Sequence, residues 1–314
     1  MRSPASPSPE PGQPAAGPSA RVVPRRSELL ARCAFPPAGT ELTCAVSGGA
    51  DSMALMILAV EAGCRVTAVH VDHGLRAGSS AEAGLVADAA GRFGAAFRSE
   101  RVAVAPGPNL EARARAARRQ VLPPDAATGH TADDQAETIL LNLVRGAGLD
   151  GLAGIRPGPR HPILALRRVE TRQLCAELGV AIVEDPSNDD PSHRRNRIRH
   201  QLLPLLDEIA ERDVAAVVAR QAALLADDAD LLDALAASID PTSVAELAAA
   251  PAPLARRALR SWLRQADPEG EAHPPTLTTL ERVLAVARHE ARSAQIGGGI
   301  SVHRRAGRLR IERG

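Results

Sequence analysis

Residues 41–63, ELTCAVSGGADSMALMILAVEAG, decide the fold. Glu41 to Val46 reads as a buried strand, Ser47, Gly48 and Gly49 as a tight loop, and a helix begins near Asp51. Gly48 and Gly49 permit backbone torsions closed to other residues and let amide groups approach an anion, while Ser47 and Ser52 add hydroxyl donors. The helix presents the positive end of its dipole to the same point. A carboxylate at Asp51 repels a phosphate unless a cation stands between them, which points to Mg2+ held with a pyrophosphate and therefore to ATP. The loop is not of the Walker type, because no Gly-Lys-Ser/Thr follows and the chain has no Lys. A plain strand-to-helix turn capped by Asp51 would use the same residues.

Outward from this unit, strand-like runs recur at Cys64 to Val71, Phe97 to Val104, Ala126 to Gly129 and Val180 to Glu184, with helical periodicity between them. Alternation of this kind predicts an α/β fold with parallel strands and ligands at their carboxyl ends. After Leu206 the chain becomes Ala/Leu-rich, with helices expected over Ala215 to Leu235, Pro253 to Arg264 and Thr276 to Arg288. Pro251, Pro253, Pro274 and Pro275 fall at helix starts, and Ala294 to Glu312 reads as a small antiparallel meander. The expected organisation is a disordered tail over 1–22, a catalytic domain over 23–210 and a smaller, mainly helical domain over 211–314.

The 314 residues are 45% hydrophobic but only 1% aromatic, so the core must be built from Leu, Val and Ala. Every cationic contact is a guanidinium. A net charge of +1 excludes a general basic coat and leaves room for a local Arg stripe. Cys33, Cys44, Cys64 and Cys175 form no CxxC pair, which argues against a zinc ribbon, a cysteine-ligated cluster or a dithiol centre. No apolar run approaches membrane-spanning length, and Met1 to Ala20 lacks the apolar centre of a signal peptide, so a cytoplasmic chain is expected.

Three further strings carry chemistry. Val69 to Arg76, VHVDHGLR, places His70, Asp72 and His73 beside the glycine loop if the strands are neighbours. Pro108 to Arg115, PNLEARAR, begins a helix on which Arg113 and Arg115 cannot share a face. In Thr128 to Thr138, TGHTADDQAET, His130 follows a strand and Thr131 can cap a helix. Asp134 and Glu137 then share a face, an acidic pocket suited to an ammonium group. Arg145 to Gly148 reads as a mobile loop with Arg145 a phosphate or RNA contact, and His193 to His200 is a dense cationic run containing Arg195, Asn196, Arg197 and Arg199. Such a run is also what a solvated helix face looks like.

Ser47-Gly48-Gly49-Ala50-Asp51-Ser52 resembles the Ser-Gly-Gly-x-Asp-Ser loop of the N-type ATP pyrophosphatases, and TGHTADDQAET, EDPSN and RNRIR resemble the lysidine synthase family within it. The resemblance implies an adenine-nucleotide alpha hydrolase-like (PP-loop) domain and ATP with Mg2+ as cofactors. The expected partners are L-lysine and a tRNA(Ile) with a CAU anticodon, with a homodimer left open. It implies that residues 47–52, His70, Asp72, His73 and His130 bind the nucleotide, with Asp51 on the metal and Arg115 on the developing charge. It further implies that Asp134 and Glu137 hold lysine and supply a base, and that Arg145, Arg195, Asn196, Arg197 and Arg199 meet substrate. The rivals are a tRNA thiolation enzyme with the same loop, for which a cysteine pair is missing, and a nucleotide sensor without chemistry.

Overall fold

The structure, a computed structural model, describes residues 26–72, 74, 79–102, 113, 116–117, 120–185, 190–265 and 275–313. The expectations for the tail, for His73 and for Arg115 lie outside the described residues.

Four parallel strands make the first sheet: β1 (Glu41–Ala45), β2 (Arg65–Asp72), β3 (Ala96–Arg101) and β4 (Ala127–Thr128). Their order is β3-β2-β1-β4. Two strands follow β1 on one side and β4 returns on the other, so the chain changes direction across the sheet between β1 and β4. The crevice at the carboxyl ends of those two strands is where such a sheet receives a ligand. It is flanked by the glycine loop after β1 and by Gly129 and His130 after β4.

Helix α1 (Arg26–Leu30) precedes the sheet and α2 (Ala50–Glu61) follows the glycine loop. Ala50 and the eight residues from Ser52 to Ala59 of α2 are all buried, as expected of a helix apolar on every face. They pack with Cys44, Val46, Ile163, Leu166 and Leu174 in one core. Helix α3 (Ser79–Phe93), α4 (Ala132–Val144), the single turn α5 (Leu149–Leu152) and α6 (Arg168–Glu177) complete this part.

Val180 to Glu184 is not a strand. This stretch runs over the glycine loop, bonding it through Val183 N–H to Gly48 O at 2.9 Å. Its β-branched side chains serve to cover the loop: a Cβ at Gly48, whose φ is +89°, would lie 2.7 Å from Val183 Cγ2.

Beyond it, α7 (Arg194–Arg197) passes through a π-helical turn (Ile198–Leu202) into α8 (Leu203–Ala210) and the long α9 (Val214–Ala236). Ile198, Leu203 and Ala215 pack against Ala136 and Leu140 of α4, so the π turn is anchored to the helix carrying the acidic residues. Helices α10 (Val244–Ala249), α11 (Ala252–Gln265) and α12 (Leu277–Ala287) enclose a separate core with the meander β5 (Ser293–Gly297), β6 (Ile300–Arg305) and β7 (Arg308–Arg313). Its centre is Leu247, Leu259, Leu280, Leu284, Val302 and Leu309, the aliphatic core that the composition required. No described helix is long and apolar enough to cross a membrane.

Candidate active site

The first turn of α2 leaves backbone N–H groups without intrahelical partners, because the first helical bond runs from Met53 N–H to Gly49 O. Ser52 Oγ donates to Gly49 O at 2.9 Å and accepts from Ser47 N–H at 3.1 Å, pinning the loop around those amides. Gly129 permits β4 to end against this turn: a Cβ there would stand 2.8 Å from the Asp51 carbonyl carbon and oxygen and 2.9 Å from Ser52 N. Fixed amides at a helix N-terminus are an arrangement that can cradle an anion.

Beside the cradle lies a cluster of carboxylates and guanidinium groups. Asp134 sits at the third position of α4, where its Oδ2 accepts from Thr131 N–H and Thr131 Oγ1, both at 2.9 Å, closing a capping box. Glu137, one turn on, has a side chain with 0% exposure. It is held by Arg168 Nη1 at 3.0 Å, Arg195 Nε at 2.7 Å and Arg199 Nε at 2.7 Å. Arg168 Nη2 also donates to Asp134 Oδ1 at 2.9 Å, and Arg168 Nε to Asp51 Oδ2 at 3.4 Å. Asp51 Oδ1 accepts from the Thr171 hydroxyl. Asp133 takes Arg167 Nη2 at 2.9 Å and the Arg168 amide at 2.7 Å.

Burial raises the pKa of all these carboxyls, and the outcome differs with their partners. For Asp134 the charges of Arg168 and Arg195 outweigh burial and hold the carboxyl below its ordinary value. Arg199 and Arg168 do the same for Glu137, as Arg167 and Arg168 do for Asp133. At Asp51 burial prevails over the help from Thr171 and Arg168, and the carboxyl is pushed up. The space in front of Asp134 and Glu137 is filled by guanidinium groups.

Residues 25–206 match the PP-loop domain family, and residues 243–310 match the TilS substrate binding domain. The tRNA(Ile)-lysidine synthase of Nocardia farcinica is 39% identical over 302 residues, covering 89% of this chain and 94% of that protein. That of Rhodococcus erythropolis is 41% identical over 289 residues, covering 84% and 87%. The chain belongs to the tRNA(Ile)-lysidine synthase family. Among solved structures it is similar to the U34-tRNA thiolase of Methanococcus maripaludis, with a TM-score of 0.52 and 15% identity over 64% of this chain and 78% of that one, which establishes a shared fold.

That thiolase is described with its [4Fe-4S] cluster, whereas in this lysidine synthase family member Cys44, Cys64 and Cys175 are buried and Cys33 is half-buried. Burial pushes the thiols of Cys33 and Cys44 up to about 12 and that of Cys175 to about 11, so none is a ready thiolate. Among the described residues, no group of three or more His, Cys, Asp or Glu is placed to hold a metal ion.

The remaining expected residues fall into distinct places. His70 is buried with Nδ1 3.0 Å from Val46 O, tying β2 to the end of β1. Asp72 accepts from Gly74 N–H at 2.8 Å. His130 stands with Nδ1 2.7 Å from Thr128 Oγ1 and 3.2 Å from His161 Nδ1. Arg145 caps α4 at the surface, followed by a closed turn with Ala147 N–H bonded to Asn142 O at 2.9 Å. The cationic run divides: Arg195 and Arg199 point inward to Glu137, Asn196 is buried and donates to Asp190 O at 2.9 Å, and Arg197 is exposed. Sequence reasoning missed Arg167, Arg168 and Thr171, which lie 31 to 120 residues from the carboxylates they bind and carry no local pattern that joins them. One signal was available: Arg195 and Arg199 are four apart, a helical spacing that puts both on the face of one partner.

Proposed function

We propose that this chain ligates lysine to C2 of the wobble cytidine in a tRNA(Ile) bearing a CAU anticodon, in two steps. In the first, the cytidine O2 attacks the α-phosphorus of ATP; the bond from that phosphorus to the bridging oxygen breaks and pyrophosphate leaves. In the second, the lysine side-chain nitrogen attacks C2, the C2–O2 bond breaks, AMP leaves and the amine gives up a proton. Adenylation is needed because a pyrimidine oxygen is a poor leaving group. The observation that carries this reading is that the first turn of α2 and the Asp134–Glu137 pair lie side by side, joined through the Arg168 guanidinium.

The amides of Gly49, Ala50, Asp51 and Ser52, with the hydroxyls of Ser47 and Ser52, would hold the pyrophosphate part of ATP, and His130 would stand at the rim of the same crevice. Asp51 offers a hard carboxylate oxygen beside this cradle, the donor type that magnesium takes together with phosphate oxygens. When bound there, the ion supplies neutralisation of phosphate charge. Asp134 and Glu137 would receive the lysine ammonium. Asp134 or Glu137 would take the proton that the amine gives up; the same three guanidinium groups reach both. Arg145 and Arg197, with Arg305 and Arg310 of the meander, are exposed cations that would follow RNA phosphates, and residues 211–314 would grip the tRNA. A cytoplasmic location suits these substrates.

The test is incubation with ATP, magnesium, labelled lysine and unmodified tRNA(Ile), followed by nucleoside analysis. Lysine covalently attached to cytidine is the expected result. Release of pyrophosphate without lysine in the nucleoside pool would overturn the second step, and no tRNA-dependent pyrophosphate release would overturn both.

A further inference from the structure

The guanidinium of Arg168 touches three carboxylates that belong to two different jobs. Its Nε reaches Asp51 of the cradle at 3.4 Å, while its Nη2 and Nη1 reach Asp134 at 2.9 Å and Glu137 at 3.0 Å. Arg195 and Arg199, by contrast, reach the acidic pair on α4. Arg168 is set at the start of α6, its amide bonded to Asp133 and its side chain only 21% exposed. Around it, Arg167, Arg168, Arg195 and Arg199 face Asp51, Asp133, Asp134 and Glu137, with Asp213 also on Arg167. Both oxygens of Glu137 and Oδ1 of Asp134 are already taken by guanidinium groups, so an ammonium added beside them would set like charges together where water is scarce, a costly state.

We infer that Arg168 is a positioning residue that makes the acidic pair accept an amine only after the nucleotide is seated. The inference rests on the reading of Asp51 as the nucleotide side and of Asp134 and Glu137 as the amine side. Arrival of a triphosphate beside α2 brings negative charge and a cation for Asp51. Arg168 then exchanges its carboxylates for phosphate oxygens, with which a guanidinium makes its strongest pairs. The vacated carboxylates keep their charge, and an incoming primary ammonium replaces the departed guanidinium one for one. Lysine therefore enters second, when the base has an adenylating partner, and the pair is closed to free amines before that.

The experiment is calorimetric titration of L-lysine into the full chain, alone and with α,β-methylene-ATP and magnesium, a nucleotide that cannot be cleaved at the reacting bond. The wild-type chain is expected to bind lysine at least tenfold more tightly with the analogue. In Arg168→Met that dependence is lost, because the place Arg168 takes on the acidic pair is vacant in both states while Arg195 and Arg199 remain. Arg168→Lys keeps the charge and the fold, but one ammonium cannot span Asp51 and the acidic pair together, so the dependence shrinks; this variant decides the question if Arg168→Met does not fold. Full dependence in either folded variant overturns the exchange while leaving the amine site intact. A wild-type chain that takes up no lysine in either state overturns the amine site and the exchange with it.

Discussion

Gly129→Ala tests the juxtaposition on which the site depends. The added methyl group would stand 2.8 Å from the carbonyl carbon and oxygen of Asp51 and 2.9 Å from Ser52 N, and all three neighbours are backbone atoms. Ordinary contact requires β4 and the first turn of α2 to separate by roughly half an ångström. Neither can yield cheaply, since β4 is paired to β1 in register and α2 is packed into the main core. Overpacking of this kind costs about 1–3 kcal/mol. The displacement falls on the amides that would hold phosphate, where misplacement by ~1 Å is worth about a hundredfold in rate. A tenfold or larger loss of ATP affinity is therefore expected, measured by titration of the nucleotide, alongside a lowered melting temperature. Wild-type ATP affinity in a folded Gly129→Ala chain would show that the turn is not the nucleotide seat.

Glu137→Gln leaves three guanidinium groups sharing one fewer charge; because they are about a quarter exposed, the loss is about 2 kcal/mol rather than the full cost of a broken buried pair. The variant should still exchange pyrophosphate with tRNA present while its lysine requirement rises at least tenfold, and an unchanged requirement would count against the acidic pair. Asp133, Asp134 and Glu137 have folded pKa values below their unfolded ones. Their stabilisation is thus present above the ordinary carboxylate values and lost as pH falls through the depressed folded values. Asp51 is opposite in sign, since its raised pKa favours the folded state more at low pH and that contribution disappears as pH rises through the folded value. Carbon-13 titration of the carboxyls should order Asp51 above the other three, and coincident midpoints would contradict the ion-pair geometry. Finally, thiol alkylation under native conditions should leave pyrophosphate release unchanged, whereas rapid loss would reopen the thiolation reading.

Much of this was written locally in the chain. The glycine loop, the apolar helix after it and the capping residue Thr131 act within a few residues of themselves, so their elements formed where expected, and α9, α11 and α12 follow the Ala/Leu periodicity between prolines. Val180 to Glu184 has strand propensity, but it is bonded to and packed over Gly48 rather than paired in the sheet. The acidic pair was legible as a pair. Its neutralisation was not, because Arg168 and Thr171 meet Asp51 across 117 and 120 residues.

The all-round burial of α2 has a consequence for how this enzyme can adapt. A rod buried over most of its length resists tilting, so the amides at its tip keep a fixed place in the crevice of the sheet. The groups around it with rotatable side chains are the arginines reaching in from α6, α7 and the π turn. Volume changes among Met53, Ile57 and Leu58 should accordingly register as altered ATP affinity as well as lost stability.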